Sequence, residues 1–315
     1  MKKLTTSETA EYLSSHDHYA ILSHRRPDGD TIGSTAALCR ILRNLGKTAH
    51  ILENSEVTAR YQWLHEGLTK PEAEPGDILV TVDVASPQML LKQHEKYLGE
   101  IALRIDHHGA ATSFPEQELV DPEAGACGEI IYDILMQLWQ DLDRDTADAL
   151  YVAISTDTGC FRFSNTTDHT FLVAAACKAA GADTYRINQE IFETVRLTKL
   201  KMQSWIVENM KLLREGKLAL VVIPKTIEDA IGVTEDDMEN ISNFPRNIAG
   251  VCLAATLRET CDGKTKLSVR ATPEFDATEI TCQFGGGGHR GAAGASMDMT
   301  VKEAAKAVEK AMLNL

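Results

Sequence analysis

Four clusters of carboxylate and imidazole side chains carry the chemical potential of this sequence. His24-Arg25-Arg26-Pro27-Asp28-Gly29-Asp30 follows the apolar stretch at 19–23. Asp83 closes the run ILVTVDV. Asp106-His107-His108 ends the run IALRI, and Asp157 lies in Ser155-Thr156-Asp157-Thr158-Gly159. Singly, each has an ordinary reading: an Asp-Gly-Asp turn, a helix cap, a surface histidine pair. Together, at the ends of several strands, they can converge on one point. Carboxylates gathered there would repel one another and raise each other's pKa. Two divalent cations would remove that repulsion. Mixed Asp/His ligands suit Mn²⁺ or a similar borderline ion better than an all-oxygen Mg²⁺ or Ca²⁺ cage. A pair of such ions about 3.5–4 Å apart serves in-line phosphoryl displacement.

Alternating elements are needed to bring the clusters together. Short apolar runs at 19–23, 48–52, 77–84 and 101–105 read as buried strands. Residues 30–45 carry apolar side chains at helical spacing and stop at Gly46, and 128–140 and 146–155 read likewise. A helix capped near Thr6-Ser7 opens the chain. Strands alternating with helices predict an α/β fold with a mostly parallel sheet, whose ligands bind beyond the strands' carboxyl ends. The second half predicts a smaller α+β unit. A long helix spans 186–213, free of Gly and Pro, followed by strands at 217–223, 250–258 and 264–270. A helix from about Asp276, a glycine cluster and a last helix from Thr300 complete it.

Composition removes other classes. With 32 basic and 46 acidic residues the net charge is −14, which opposes a long non-specific contact with duplex DNA. No apolar run approaches the ~20 residues that span a bilayer, so no membrane partner is expected. The N-terminus turns acidic where a signal peptide would turn apolar. Seven scattered cysteines, with no C-x-x-C pair, read as reduced thiols in a cytoplasmic protein. The glycine cluster is neither G-x-G-x-x-G nor a Walker A loop, which excludes a dinucleotide or NTPase site. Its backbone can approach an anion closely. Trp63, Trp139 and Trp205 are expected in the core or at the domain junction. Arg25, Arg26, Arg162 and Arg246 divide evenly between phosphate attraction and solvated charge. Cys160 reads as an inert thiol.

His24-x3-Asp28-x-Asp30, Asp83, Asp106-His107-His108 and Asp157 resemble the successive motifs of the DHH phosphoesterase superfamily. Gly285-Gly286-Gly287-Gly288-His289-Arg290-Gly291-Ala292-Ala293-Gly294 resembles the signature of the DHHA1 domain. The whole layout is similar to the nanoRNase subgroup of oligoribonuclease and 3′-phosphoadenosine-5′-phosphate phosphatases. Phe161-Arg162-Phe163-Ser164-Asn165-Thr166 and Pro245-Arg246 also fit. The sequence departs from the pattern at Ala111, where the family often has Asn, at Ala271, where it has Ser, and at Arg104, inside a strand that is usually apolar.

The resemblance implies a DHH domain at 1–190, a linker helix at 191–216 and a DHHA1 domain at 217–315. It implies two Mn²⁺, one held by His24, Asp28 and Asp83 and the other by Asp30, Asp83, His107 and Asp157. Asp106 would orient a histidine ligand, and His108 would face the substrate phosphate. Arg270, Gly286, Gly287, Gly288 and His289 would bind substrate. The implied reaction is hydrolysis of short RNA or DNA oligonucleotides, pApA-type dinucleotides or a nucleotide bisphosphate by a metal-activated water. A homodimer is compatible with it. An inorganic pyrophosphatase, a single-strand exonuclease and a non-catalytic nucleotide sensor are the alternatives. The glycine signature opposes the first, the lack of a basic groove the second, and the filled ligand positions the third.

Overall fold

The buried runs YAIL, AHIL, ILVTV and IALRID each form one strand of a parallel sheet. The computed structural model describes residues 2–109, 114–238 and 240–315, in two units, Met1–Thr194 and Val195–Leu315. Ala111 lies outside the described residues.

In chain order the first unit contains β1 (Lys2–Lys3), α1 (Thr6–Ser15), β2 (Tyr19–Leu22), α2 (Gly29–Asn44), β3 (Ala49–Leu52), β4 (Thr69–Lys70) and β5 (Ile78–Val82). It continues with β6 (Ile101–Asp106), β7 (Gln117–Val120), α3 (Cys127–Gln137), α4 (Arg144–Asp157), α5 (Asp168–Ala179) and α6 (Thr184–Asn188). The strand order is β1-β7-β6-β5-β2-β3-β4, and every pairing is parallel. From β2 the chain moves to β3 and β4 on one side, then returns to place β5, β6 and β7 on the other. The order therefore reverses between β2 and β5, and sheets of this kind bind ligands beyond the carboxyl ends at such a reversal.

Asp28 caps α2, its Oδ1 accepting from Thr31 N at 3.0 Å. Ile32, Leu38, Ile41 and Leu42 on α2 are fully buried, each contributing about 1.5–3 kcal/mol. At Gly33 the helix meets α4. A Cβ there would lie 2.3 Å from Ala149 O and 2.9 Å from Ala153 N. The contact holds the start of α2, with Asp28 and Asp30, against the helix that ends at Asp157.

Arg104 proves compatible with a buried strand because Glu118 lies opposite it in the β6–β7 register. Their side chains pair at 2.7 Å, both almost wholly buried. The tryptophan expectation fails at Trp139, which is 94% exposed and takes φ +53° in the short turn after α3. Trp63 is half-buried beneath the Arg186 guanidinium, 4.5 Å from its ring centre.

Burial also gives this unit a pH dependence. His65 Nε2 lies 2.9 Å from Thr35 Oγ1 and 3.2 Å from Ile32 O. Burial pushes the imidazole's pKa down from 6.5 to about 4. Between those values the unfolded chain binds a proton that the folded one refuses. Its stability contribution is thus complete above pH 6.5 and falls as pH drops towards 4, by up to about 3 kcal/mol. Urea unfolding at pH 7.5 and pH 5 is expected to show His65→Gln losing less stability on acidification than the parent. An equal loss in both proteins would contradict this.

The expected helix at 186–213 is broken. After α6 a π-turn at Gln189–Glu193 gives way to extended backbone at Thr194 and Arg196, and α7 (Leu197–Asn209) starts afresh. The β-branched Thr194 and Val195 sit at the division between units. The tail becomes β8 (Lys211–Leu213), paired antiparallel with β9 (Leu218–Ile223) across a turn in which Arg214, Glu215 and Gly216 all have positive φ. Sheet pairing overrides helical propensity here.

The second unit continues with α8 (Lys225–Ile231), α9 (Glu235–Met238), β10 (Leu253–Glu259), β11 (Thr265–Ala271), α10 (Thr278–Thr281), β12 (Gly287–His289), β13 (Ala292–Met297) and α11 (Val301–Leu313). Its sheet order is β12-β13-β11-β10-β9-β8, antiparallel except for β9–β10. Thr300 and Glu303 form a capping box that starts α11. No helix among the described residues is long and apolar enough to cross a membrane.

Candidate metal centre

The carboxyl ends of β2, β5 and β6 and the two ends of α2 and α4 deliver the four clusters to one place. His24, Asp28 and Asp83 each bring a ligand atom within 4.8 Å of the others, and so do Asp30, His107 and Asp157. A third such group is Asp83, His107 and His108. Asp83 lies between them: its Oδ2 is 3.9 Å from His24 Nε2, and its Oδ1 is 3.6 Å from His107 Nε2. His107 Nε2 is also 3.7 Å from Asp30 Oδ2 and 3.8 Å from Asp157 Oδ2.

Backbone geometry aims these groups. Asp83 takes φ +59°, the left-handed region, immediately after β5, and its N–H donates to Ile105 O at 2.9 Å. His24 Nδ1 donates to Arg25 O at 2.6 Å and His107 Nδ1 to Ala124 O at 3.2 Å, tautomers that leave each Nε2 free to act as a ligand. Asp106, fully buried at the end of β6, accepts at Oδ1 from His108 Nδ1 at 2.8 Å and from the His107 and His108 N–H groups. The imidazole it orients is that of His108, whereas a carbonyl orients His107. This bond raises the His108 pKa.

Several contributors lie outside the four clusters. Asp30 accepts from Cys127 N at 2.7 Å and Gly128 N at 3.0 Å, the free donors at the start of α3, and from Ser34 Oγ at 2.8 Å. Thr31 Oγ1 lies 2.6 Å from Asp83 Oδ2 and 3.1 Å from Asp28 Oδ1. Asn165 Nδ2 donates to Asp157 Oδ2 at 3.2 Å and to Gly125 O at 2.8 Å. Ser34 falls four residues after Asp30 on one helix, a spacing that marks a shared face. The two α3 amides carry no signal in sequence.

The donors fit a cation. Burial, with Asp157 and Asp28 nearby, raises Asp30 to about 7, although His107 opposes the shift. Burial and the Asp30 and Asp28 charges push Asp83 well above the ordinary carboxylate range. Burial raises Asp157 too. Among the described residues, Asp83 Oδ1 and Asp106 Oδ2 are buried without a hydrogen-bond partner. A buried acceptor left so is costly, and at Asp83 a cation would satisfy it.

The second unit presents a different surface. Arg270 on β11 stands opposite Ala292 on β13, which stands opposite His289 on β12. Two residues along, on the same face, lie Ser268, Gly294 and Gly287. Gly286 and Gly288 have a packing reason for their size: a Cβ would come within 2.2 Å of Gly294 O and 2.6 Å of Ala292 O respectively. A Cβ on Gly287 would meet nothing within 4 Å, and His289 is exposed. Arg162 is bound back to Gly159 O, while Arg25 and Arg26 are exposed. Burial raises the Cys160 thiol, as suits an inert side chain.

Asp and His groups gathered at the reversal point of a parallel sheet, with a separate second unit, define a metal-dependent hydrolase of the phosphoesterase class. The chain belongs to the DHH family: residues 18–154 match its N-terminal domain and residues 217–314 match the DHHA1 domain. It is 30% identical over 280 residues to the bifunctional oligoribonuclease and PAP phosphatase NrnA of Thermus thermophilus, covering 88% of this chain and 83% of that one. The enzyme of the same name from Bacillus subtilis is 25% identical, with 92% and 93% covered. An exopolyphosphatase-related protein of Bacteroides fragilis has the same fold, with a TM-score of 0.85, 23% identity and 98% and 96% of the chains covered.

Proposed function

We propose that this chain is a Mn²⁺-dependent phosphoesterase that hydrolyses short oligonucleotides and 3′-phosphoadenosine-5′-phosphate. The observation that carries the reading is the meeting of two ligand groups at Asp83. His24, Asp28 and Asp83 would hold one ion, and Asp30, Asp83, His107 and Asp157 the other. When bound, the ion pair lowers the pKa of a water and neutralises charge on the attacked phosphate. His108, held by Asp106, presents its other nitrogen to a phosphate oxygen or to the leaving oxygen. Arg270 and His289, with the exposed glycine backbone near Gly287, bind a further phosphate. The names of the relatives support the substrate class. A homodimer and a reducing, cytoplasmic setting belong to the same reading. The seven cysteines are all unpaired thiols, which suits that setting.

A competition assay tests it. The protein and Mn²⁺ meet equimolar pApA, a five-nucleotide RNA, a long RNA, 3′-phosphoadenosine-5′-phosphate and pyrophosphate. The expected result is loss of the short RNAs and the bisphosphate, with long RNA spared. Consumption of pyrophosphate alone would overturn the substrate assignment.

A further inference from the structure

We propose that Asn243 is a positioning residue that holds Arg270 as an uncompensated cation, so that its guanidinium accepts a phosphate group of the substrate. The proposal rests on the reading above, in which Arg270 binds substrate.

Arg270 sits in the interior of the second unit's sheet, with Ala254 on one side and Ala292 on the other. Both register neighbours are small. Its Nε donates to Asn243 Oδ1 at 2.6 Å and its Nη1 to Val269 O at 3.1 Å. Three of its five N–H groups remain for a ligand. Burial, with no opposing charge, pulls its pKa below the ordinary value.

The choice of an amide is the informative feature. A desolvated guanidinium normally acquires a carboxylate. Arg258, on the neighbouring β10, does so twice, with Glu228 and Glu235. No carboxylate among the described residues pairs with Arg270 in this way. Asn243 supplies an acceptor and orients the fork without cancelling the charge. The amide is itself oriented, because Asn243 Nδ2 donates to Asn240 Oδ1 at 3.4 Å. Asn240 adopts φ +57°, a conformation that Asn tolerates. His289, two strands away on the same register line, and Ser268, two residues before Arg270, bound a floor of Ala292 and Gly294. That ledge of small residues beside a fixed cation suits a phosphate monoester, which a guanidinium fork grips through two oxygens.

The test compares Asn243→Asp, Asn243→Ala and Arg270→Ala with the parent by steady-state kinetics on 3′-phosphoadenosine-5′-phosphate with Mn²⁺, together with thermal unfolding. Asp keeps the acceptor and the shape but neutralises the cation. A purely structural role predicts that Asp rescues the site. The proposal predicts that it does not: KM rises about tenfold, the loss falling mainly on KM, while the unfolding temperature is kept. Asn243→Ala is expected to raise KM less than Asp does. Should it fail to fold, Asn243→Asp carries the test alone. Parent-like KM in Asn243→Asp, with KM raised in Arg270→Ala, would overturn the proposal and leave the reading standing. Unchanged KM in Arg270→Ala, or no turnover by the parent, would remove the reading and this proposal with it.

Discussion

Replacing Asp83 by Asn is expected to abolish turnover and, in the metal-free protein, to raise the unfolding temperature. The two effects share one cause. Asp83 is the carboxylate that the proposed reading shares between the two ions, and burial, with the Asp30 and Asp28 charges beside it, holds its pKa high. Without cations that charge is a liability. Asn fits the same space, tolerates φ +59° and can still accept from Thr31. Turnover should fall at least about a thousandfold, roughly 4 kcal/mol of barrier. Relief of the repulsion should add about 1–2 kcal/mol, a rise on the order of 5 °C for a unit of this size. Thermal unfolding in chelator and Mn²⁺ kinetics check both halves. Near-parent rates would sink the mechanism, and a lower unfolding temperature would contradict the electrostatic account.

The second large effect is expected at Gly33. In an exposed helix Gly→Ala stabilises by about 1 kcal/mol. At this position the new methyl would meet the Ala149 carbonyl at 2.3 Å and the Ala153 amide at 2.9 Å. Neither is the end of a flexible side chain, so α2 or α4 must move. Gly33→Ala is therefore expected to destabilise the protein by about 1–3 kcal/mol, the opposite of the propensity effect. Separating the helices also separates Asp30 from Asp157, so Mn²⁺ affinity should fall with stability. Denaturant unfolding gives the sign directly. A stabilised Gly33→Ala would show that the helices do not rely on this contact.

Much of the first unit could be read in the sequence because its core strands are short, apolar and bounded by polar motifs. The runs ending at His24, Asp83 and Asp106 needed only hydrophobic pattern and turn chemistry. Beyond these, β7 is only four residues long, and β1 and β4 only two. They exist through pairing with a neighbour, which no local pattern records. Arg104 looked anomalous in β6 until Glu118, fourteen residues on, stood beside it. The conversion of the expected helix's tail into β8 has the same origin, since helical propensity says nothing about β8 pairing with β9. At the centre, residue types announced the carboxylates and imidazoles. The donors that fix them, Cys127 N and Gly128 N, are backbone groups invisible to composition. Asn243 and Arg270 are brought together across 27 residues by the fold alone.

In the proposed centre, two groups of ligands joined at Asp83 hold two cations side by side. Calorimetric titration of the chelator-treated protein with Mn²⁺, read together with electron paramagnetic resonance of the product, tests it most directly. The expected result is two Mn²⁺ per chain with a spin-coupled signal, and loss of the coupled signal in Asp83→Asn. A single uncoupled Mn²⁺ per chain, or an unchanged coupled pair in Asp83→Asn, would contradict it.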